Sequence, residues 1–324
     1  MRLLTCLVHA NEYGFRMPIK QYPTLIGYSA LIFWALAAPF VVKIKSLPVF
    51  ESLAIVFSVS FLLSSIKLTL YRQWSKLKQP WFLWPVGLLG IYGNDLLYIV
   101  AFKHAPAAHA DLINYLWPII VILLTGFLPD EKLSFRHLLA ASMGFAGIYI
   151  LICQNDQGFE RQYLFGYVLA FLDALVWSAY TLMARHYGKS PIEIIGIYCG
   201  IGAICSLFLH IHLEIPILPQ WEQWVILIMM GMTTQCLAYF FWDFGIKRGD
   251  FKLLTILSYG NPILSILFLI LFGMAKPSIE LFLACVLVTL GGMIGVIPWK
   301  SLYQTSLAKR QANAGVDKKP EMPQ

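Results

Sequence analysis

Charged residues are scarce in this chain of 324 residues: they make up 13% of it, whereas hydrophobic residues make up 59%. Soluble domains carry about 25% charged residues, and the mean hydropathy here is +0.69. These values exclude an ordinary soluble protein and indicate an integral membrane protein. The net charge of +7 comes without a basic run interleaved with aromatic residues, so we expect no nucleic-acid partner.

The usual signatures of catalytic and metal sites are also missing from the sequence. It contains no HExxH, GxSxG, Walker or DDxxD pattern, and its mid-span acids lie one per predicted helix. The six cysteines form no CxxC pair, and His210 and His212 lack a third ligand. A polytopic membrane enzyme is therefore only a remote alternative, and we expect neither a cofactor nor a bound metal.

What the chain does contain is a series of apolar segments, each near the roughly 20 residues that a spanning helix needs. We place ten of them at residues 23–42, 48–70, 81–102, 107–128, 134–153, 163–183, 191–211, 222–246, 251–272 and 278–297. The predicted fold class is an all-α integral membrane protein with ten transmembrane helices.

The second half of the chain repeats the first at an offset of 144 residues. In one ungapped frame Tyr115 falls on Tyr259 and Pro118 on Pro262, and both prolines predict helix kinks. The same frame pairs Lys103 with Lys247, Ser134 with Ser278 and Gly147 with Gly291. Because five spans are an odd number, we expect two inverted five-helix repeats, residues 23–153 and 163–297.

Lysine and arginine are unevenly distributed between the loops. With the amino terminus inside, nineteen of the 24 basic residues lie inside, and the outside loops hold only Lys43, Lys45, Lys103, Arg161 and Lys276. The positive-inside rule therefore predicts that both termini are cytoplasmic. We expect residues 1–22 to be a cytoplasmic lead-in, starting at Met1 or Met17, and residues 298–324 to be a disordered cytoplasmic tail.

Acids within the spans are candidate functional groups, because such an acid costs about 2.5–3.5 kcal/mol on insertion scales. For Asp95 and Asp173 two interpretations stay open. They bind a substrate ammonium or carry a coupling proton, or they only hold neighbouring helices together. Asp243 has Lys247 one turn away, which can neutralise it, whereas Asp111 lies nearer a helix end and is interpreted as a gate or loop residue.

Mid-span aromatic and amide side chains complete the candidate site. Aromatic walls hold a planar or apolar group, and a few polar groups orient it. The predicted substrate-binding residues are Trp34, Tyr92, Asn94, Asp95, Asn114, Tyr115, Asp173, Trp177, Tyr180, Gln235, Tyr239, Trp242 and Tyr259. Glycines of the fifth and tenth helices, among them Gly147 and Gly291, are interpreted as close-packing residues between the halves or in a weak homodimer of an otherwise monomeric protein.

These motifs resemble the EamA type of the drug/metabolite transporter superfamily, and within it the bacterial aromatic amino-acid exporters. The resemblance is carried by Asn114-Tyr-Leu-Trp-Pro118, by Ala238-Tyr239-x-x-Trp242-x-x-Gly245-Ile246-x-x-Gly249, and by Ser258-Tyr259-x-x-Pro262-x-x-Ser265. It implies a secondary transporter in the inner membrane that exports amino acids, aromatic ones among them, or related small metabolites by alternating access. The extra acids in the spans leave open a carrier of another zwitterionic or cationic metabolite or drug.

Overall fold

The computed structural model describes residues 21–125, 135–153, 160–187 and 192–296. Within these ranges every regular element is a helix, which confirms the predicted all-α class. The predicted cytoplasmic tail, residues 298–324, lies outside the described residues, as does all but the end of the predicted lead-in, residues 1–22.

We number the helical spans α1 to α10 in chain order, and five of them consist of consecutive segments. The bounds are α1 (Gln21–Ala35 and Ala37–Lys43), α2 (Val49–Leu70), α3 (Leu83–Leu88, Leu89–Gly93 and Asn94–His104), α4 (Ala107–Asn114 and Trp117–Thr125), α5 (Phe135–Ile152), α6 (Leu164–Tyr187), α7 (Ile194–Leu213), α8 (Trp221–Met232, Thr233–Leu237 and Ala238–Arg248), α9 (Phe251–Ser258 and Asn261–Leu271) and α10 (Ile279–Val296). Short 3-10 turns occur at Trp74–Lys76 and Arg161–Tyr163.

Six of these helices are long and apolar enough to cross a membrane: α1, α2, α3, α6, α7 and α8. Large apolar side chains stay exposed along them, as Ile204, Phe208 and Ile211 do on α7. Exposed apolar faces are expected where a helix contacts lipid. Shorter apolar helices occur in α5, α9 and α10, and α4 is divided into two segments of 8 and 9 residues. The predicted count of ten spans thus fits the architecture, with α4 and α9 discontinuous.

The internal repeat is visible in the helix boundaries. A π-helical turn interrupts α3 at Leu89–Gly93 and α8 at Thr233–Leu237, which is 144 residues later. Helix α5, Phe135–Ile152, likewise corresponds at this offset to α10, Ile279–Val296. The offset that was read from a few identical residues therefore also relates whole elements.

The two repeated prolines lie at complete helix breaks rather than at kinks. In α4 the first segment ends at Asn114, and Pro118 is the second residue of the next segment. In α9 the first segment ends at Ser258, and Pro262 takes the same place. A proline clashes with the carbonyl four residues earlier but is tolerated in a first helical turn, where its missing N–H would have had no partner. The helix therefore stops and restarts.

Helices α5 and α10 pack closely through small residues of both repeats. A Cβ atom added to Gly147 would lie 2.9 Å from the Ala284 carbonyl oxygen, and one added to Gly291 would lie 2.8 Å from that of Ala140. Since the two contacts are related by the repeat offset, they form one symmetric interface. These glycines therefore pack the two halves together, as the sequence predicted.

Helices α1 and α6 each pack against helices of the other repeat, which brings the residues of the candidate site together. Helix α1 packs on α8 and α9 of the other repeat, and α6 packs on α3 and α4. At the α1–α8 crossing, Gly27 and Gly245 face each other so closely that a Cβ on Gly245 would lie 2.5 Å from the Gly27 Cα atom. Helices α3, α4 and α6 thus meet α1 and α8 in the middle of the molecule.

Candidate functional site

Two π-helical turns shape the centre of the molecule. Such turns add a residue to one helical turn and are frequent at functional sites. The turn in α8 contains Gln235, whose backbone carbonyl accepts a hydrogen bond from the Ser60 hydroxyl of α2 at 2.9 Å. The turn in α3 is followed directly by Asn94 and Asp95. Gln235, Asn94 and Asp95 are therefore positioned by two irregular turns, and these turns lie at equivalent places in the two repeats.

Asp95 and Gln235 form a pair across the two repeats. The Gln235 Nε2 atom donates to Oδ2 of Asp95 at 2.6 Å. Asp95 is partly exposed, and its other oxygen makes no hydrogen bond to a described residue, whereas Gln235 is only 8% exposed. The Oε1 atom of Gln235 is buried and has no hydrogen-bond partner among the described residues. The pair therefore offers two acceptor oxygens that protein groups leave open.

Asp173 is held differently, because both of its carboxylate oxygens are occupied. The Asn94 amide donates to Oδ1, and the Asn114 amide donates to Oδ2 at 2.5 Å. The side chain is fully buried in α6. Asp173 thus links α6 to α3 and α4. The amides of Asn94 and Asn114, which were predicted to bind the substrate, donate to this acid instead.

Aromatic rings from both repeats form a continuous cluster beside these polar groups. Trp34 lies 5.5 Å from Tyr239 and 5.7 Å from Trp242, measured between ring centroids. Trp177 lies 6.2 Å from Tyr239 and 5.6 Å from Tyr180. We call Trp34, Trp177, Tyr180, Tyr239 and Trp242 the central aromatic cluster. Trp117 of α4, a residue of the Asn114–Pro118 motif, joins it at 6.4 Å from Trp177.

The backbone of α3 makes room for this cluster. A Cβ atom added to Gly90, inside the π-helical turn, would lie 2.3 Å from the Tyr180 ring. Because such a contact is too short for any side chain, glycine is required there for Tyr180 to lie against α3. The turn therefore positions both the polar pair and one wall of the cluster.

Three predicted aromatic residues lie outside the cluster. Tyr92 packs on Phe57 of α2 at 5.8 Å and accepts a hydrogen bond from Ser206 of α7 at 3.2 Å. Tyr259 lies against Gly292 of α10, where an added Cβ would be 2.5 Å from its ring. Tyr115 accepts a hydrogen bond from Asn261. In this conformation these three residues contact neighbouring helices rather than the centre.

A second buried network surrounds Asp111, for which the sequence predicted a role as a gate or loop residue. The structure places it inside a helical segment of α4, 1% exposed. Its Oδ1 accepts from the Tyr98 hydroxyl at 2.9 Å, and its Oδ2 accepts from the Ser265 hydroxyl at 2.6 Å. Lys103 of α3 donates to the Leu47 carbonyl oxygen and not to this acid. An acid in an otherwise apolar span was the sequence signal for this network.

The ends of α2 and α7 are also tied together, away from the centre. Lys67 of α2 forms an ion pair with Glu193, which precedes α7, at 2.9 Å. At the opposite ends the Glu214 carboxylate accepts the backbone N–H groups of Phe50 and Glu51 at 3.0 and 3.1 Å. His210 contacts the same carboxylate at 3.0 Å. These polar contacts bind the two repeats at both ends of one helix pair.

Comparison with known proteins identifies the family to which this architecture belongs. The family model described as "EamA-like transporter family" matches residues 22–153 and again residues 164–296. The chain is 35% identical over 282 residues to the aromatic amino acid exporter YddG of Ancylobacter novellus, covering 86% of this chain and 98% of the relative. It is 24% identical over 271 residues to the protein of the same name from Escherichia coli, covering 76% and 87%.

A solved structure has the same fold. This crystal structure superposes with a TM-score of 0.69 at 34% sequence identity. The match covers 87% of this chain and 99% of the other. The family match extends through both repeats, so it includes every residue of the central aromatic cluster and the Asp95–Gln235 pair.

Proposed function

The chain belongs to the EamA-like transporter family, and on that premise we propose that it carries amino acids, aromatic ones among them, or related small metabolites across the inner membrane by alternating access. Its family and relatives are transporters rather than enzymes, which implies a small-molecule substrate. The fold is that of a multi-pass membrane protein. The direction that we propose is export, because two similar proteins are aromatic amino acid exporters.

One observation carries the proposal: polar and aromatic groups from both repeats meet at the same place. The Asp95–Gln235 pair joins α3 to α8, and the central aromatic cluster joins α1 and α8 to α6. In transporters built from inverted repeats the substrate binds between the repeats near the middle of the membrane. A site made of residues from both repeats changes its exposure when one repeat moves against the other, and this supports alternating access.

The proposed arrangement in the membrane follows from the basic residues. Nineteen of the 24 lysines and arginines lie on one side when the amino terminus is cytoplasmic. Residues 23–153 and 163–297 would then be repeats of opposite orientation, and both termini would be cytoplasmic. The ion pair between Lys67 and Glu193 would lie on the cytoplasmic side, and the contact of Glu214 with Phe50 and Glu51 on the other.

Counterflow in proteoliposomes tests the proposed function. Vesicles that contain the purified protein are loaded with one unlabelled amino acid and diluted into buffer that contains the radiolabelled form. We expect transient accumulation of label with phenylalanine, tyrosine or tryptophan, and none in protein-free vesicles. A panel of other amino acids and metabolites is tested in the same way. Vesicles that accumulate no member of the panel would show that the proposed function is wrong.

A further inference from the structure

The amide groups at the centre of the molecule use their N–H donors on the protein's own acids. The amides of Asn94 and Asn114 both donate to Asp173, and the amide of Gln235 donates to Asp95. Among the acid and amide groups, the oxygen atoms that remain open are therefore acceptors. An incoming molecule meets oxygen atoms of these groups that accept hydrogen bonds.

Two of these open acceptors lie side by side. The Oε1 atom of Gln235 is enclosed by protein and accepts no hydrogen bond in the part of the chain that the structure describes. It shares its amide carbon with the Nε2 atom that donates to Asp95, so it necessarily lies next to that carboxylate. The free Asp95 oxygen belongs to a partly exposed side chain. A buried acceptor without a donor is unfavourable, so a ligand that brings N–H groups is stabilised here.

Aromatic faces border the same pair. Tyr239 follows Gln235 by one helical turn on α8, so the two side chains lie on one face of the helix. Trp34 and Trp177 both contact Tyr239, with ring centroids 5.5 and 6.2 Å away. Rings of this kind attract a cation through their π faces and pack against a planar apolar group.

We infer that Asp95 and Gln235 form a subsite for a protonated amino group, and that the substrates include aromatic amines for which a carboxylate is dispensable. An ammonium group has three N–H donors and no acceptor, which matches the Asp95 oxygen, the Gln235 oxygen and a neighbouring ring. A carboxylate in the same place would meet the open oxygen atoms of Asp95 and Gln235, which are acceptors, while the N–H donors of the nearby amides are already used. The inference rests on the proposed function and specifies its substrate class.

Three ligands with the same ring test the inference. Phenethylamine is a cation, phenylalanine a zwitterion and 3-phenylpropionate an anion. Their binding to the purified full-length protein in detergent is measured by isothermal titration calorimetry. We expect phenethylamine to bind at least as tightly as phenylalanine, and 3-phenylpropionate to bind at least about tenfold more weakly. Asp95→Asn should weaken the binding of both amines by about tenfold to hundredfold. Glu222→Gln, which removes an exposed acid from α8, should not.

The outcomes separate this inference from the proposed function. If phenylalanine binds but phenethylamine does not, a carboxylate is required and the inferred substrate class is wrong, while the proposed function stands. Unchanged amine binding in Asp95→Asn would exclude the subsite. If none of the three ligands binds but counterflow shows transport of another amino acid, the inferred substrate class is wrong and the proposed function stands. A complete lack of binding and of counterflow overturns both.

Discussion

Ser265 in α9 donates a hydrogen bond to the Asp111 carboxylate in α4 over 2.6 Å, across 154 residues of chain. Tyr98 of α3 donates to the other oxygen of the same carboxylate. The acid therefore links helices of both repeats, as the Lys67–Glu193 and Glu214 contacts of α2 and α7 also do. In a transporter that moves one repeat against the other, such a link must break or follow the motion.

We predict that Ser265→Ala lowers both the stability and the transport rate. An interhelical hydrogen bond in a membrane protein contributes about 0.6 kcal/mol on average, so the loss of stability should be of that order. Thermal unfolding in detergent and counterflow are the two measurements. The control is Ser52→Ala, because the Ser52 hydroxyl is buried but bonds only within its own helix, to Pro48. In a double-mutant cycle with Asp111→Asn, purely additive effects would show that the two residues are not coupled.

The sequence predicted the parts of this structure that leave a periodic or repeated trace. The apolar segments predicted the spans, and the repeated glycines Gly147 and Gly291 predicted close packing of α5 and α10. The mid-span positions of Trp34, Trp177 and Tyr239 gave most of the central aromatic cluster. In each of these cases the prediction needed only the type of the residue and its position in an apolar segment.

What the sequence did not predict depends on contacts between distant residues or on the path of the backbone. Tyr92 lies in the π-helical turn at Leu89–Gly93, and its contacts with Phe57 of α2 and Ser206 of α7 depend on the path of the backbone there. The role of Asp111 depends on Ser265, and no local pattern joins them. The prolines marked the positions at which α4 and α9 change, although the helices break there rather than bend.

Substitution of the interface glycines should destabilise the protein. In Gly147→Ala and Gly291→Ala the new methyl groups would meet backbone carbonyl oxygens at 2.9 and 2.8 Å, which the backbone cannot avoid without moving α5 from α10. We expect each to cost about 1–3 kcal/mol, measured as thermal unfolding in detergent. Gly144→Ala is the matched control on α5, since its methyl group would meet only the ends of the Ile119 and Leu116 side chains. If Gly144→Ala is as harmful as the other two, close backbone packing is not the reason.

The helix breaks in α4 and α9 should matter for transport more than for folding. Pro118→Ala and Pro262→Ala restore a backbone N–H and remove the clash that stops the preceding segment, so each favours a continuous helix. We expect a lower counterflow rate at normal expression and membrane insertion. Pro277→Ala, at an exposed position before α10, serves as the control. Wild-type rates in both variants would indicate that the prolines are only tolerated.

The orientation of the repeats can be tested with reporter fusions. A reporter fused after residue 158 should be found outside, and one fused after residue 188 should be found inside, because nineteen of the 24 basic residues then lie in the cytoplasm. Paired fusions to alkaline phosphatase, active only outside, and to green fluorescent protein, fluorescent only inside, make each position its own control. Reversed signals at the two sites would refute the inverted repeat in this orientation.

The two central acids should respond differently to loss of charge. Asp173 accepts from two amide groups, so Asp173→Asn replaces one acceptor oxygen by a donor, and the Asn94 or Asn114 amide that faces it must lose its hydrogen bond or rotate. We expect a loss of stability of about 1–3 kcal/mol, seen as a lower unfolding temperature and yield. Asp95 has one oxygen open, so Asp95→Asn should fold normally.

Transport assays then distinguish what Asp95 does. If it binds a substrate ammonium, Asp95→Asn should lower both exchange and gradient-driven accumulation and should weaken apparent affinity. If it carries a coupling proton, exchange should persist while accumulation driven by a proton gradient is lost, because an amide cannot titrate. Glu222→Gln again controls for the loss of one acid on an exposed surface. A stable Asp173→Asn together with an unstable Asp95→Asn would reverse the assignment of the two acids, making Asp95 the residue that holds the helices together.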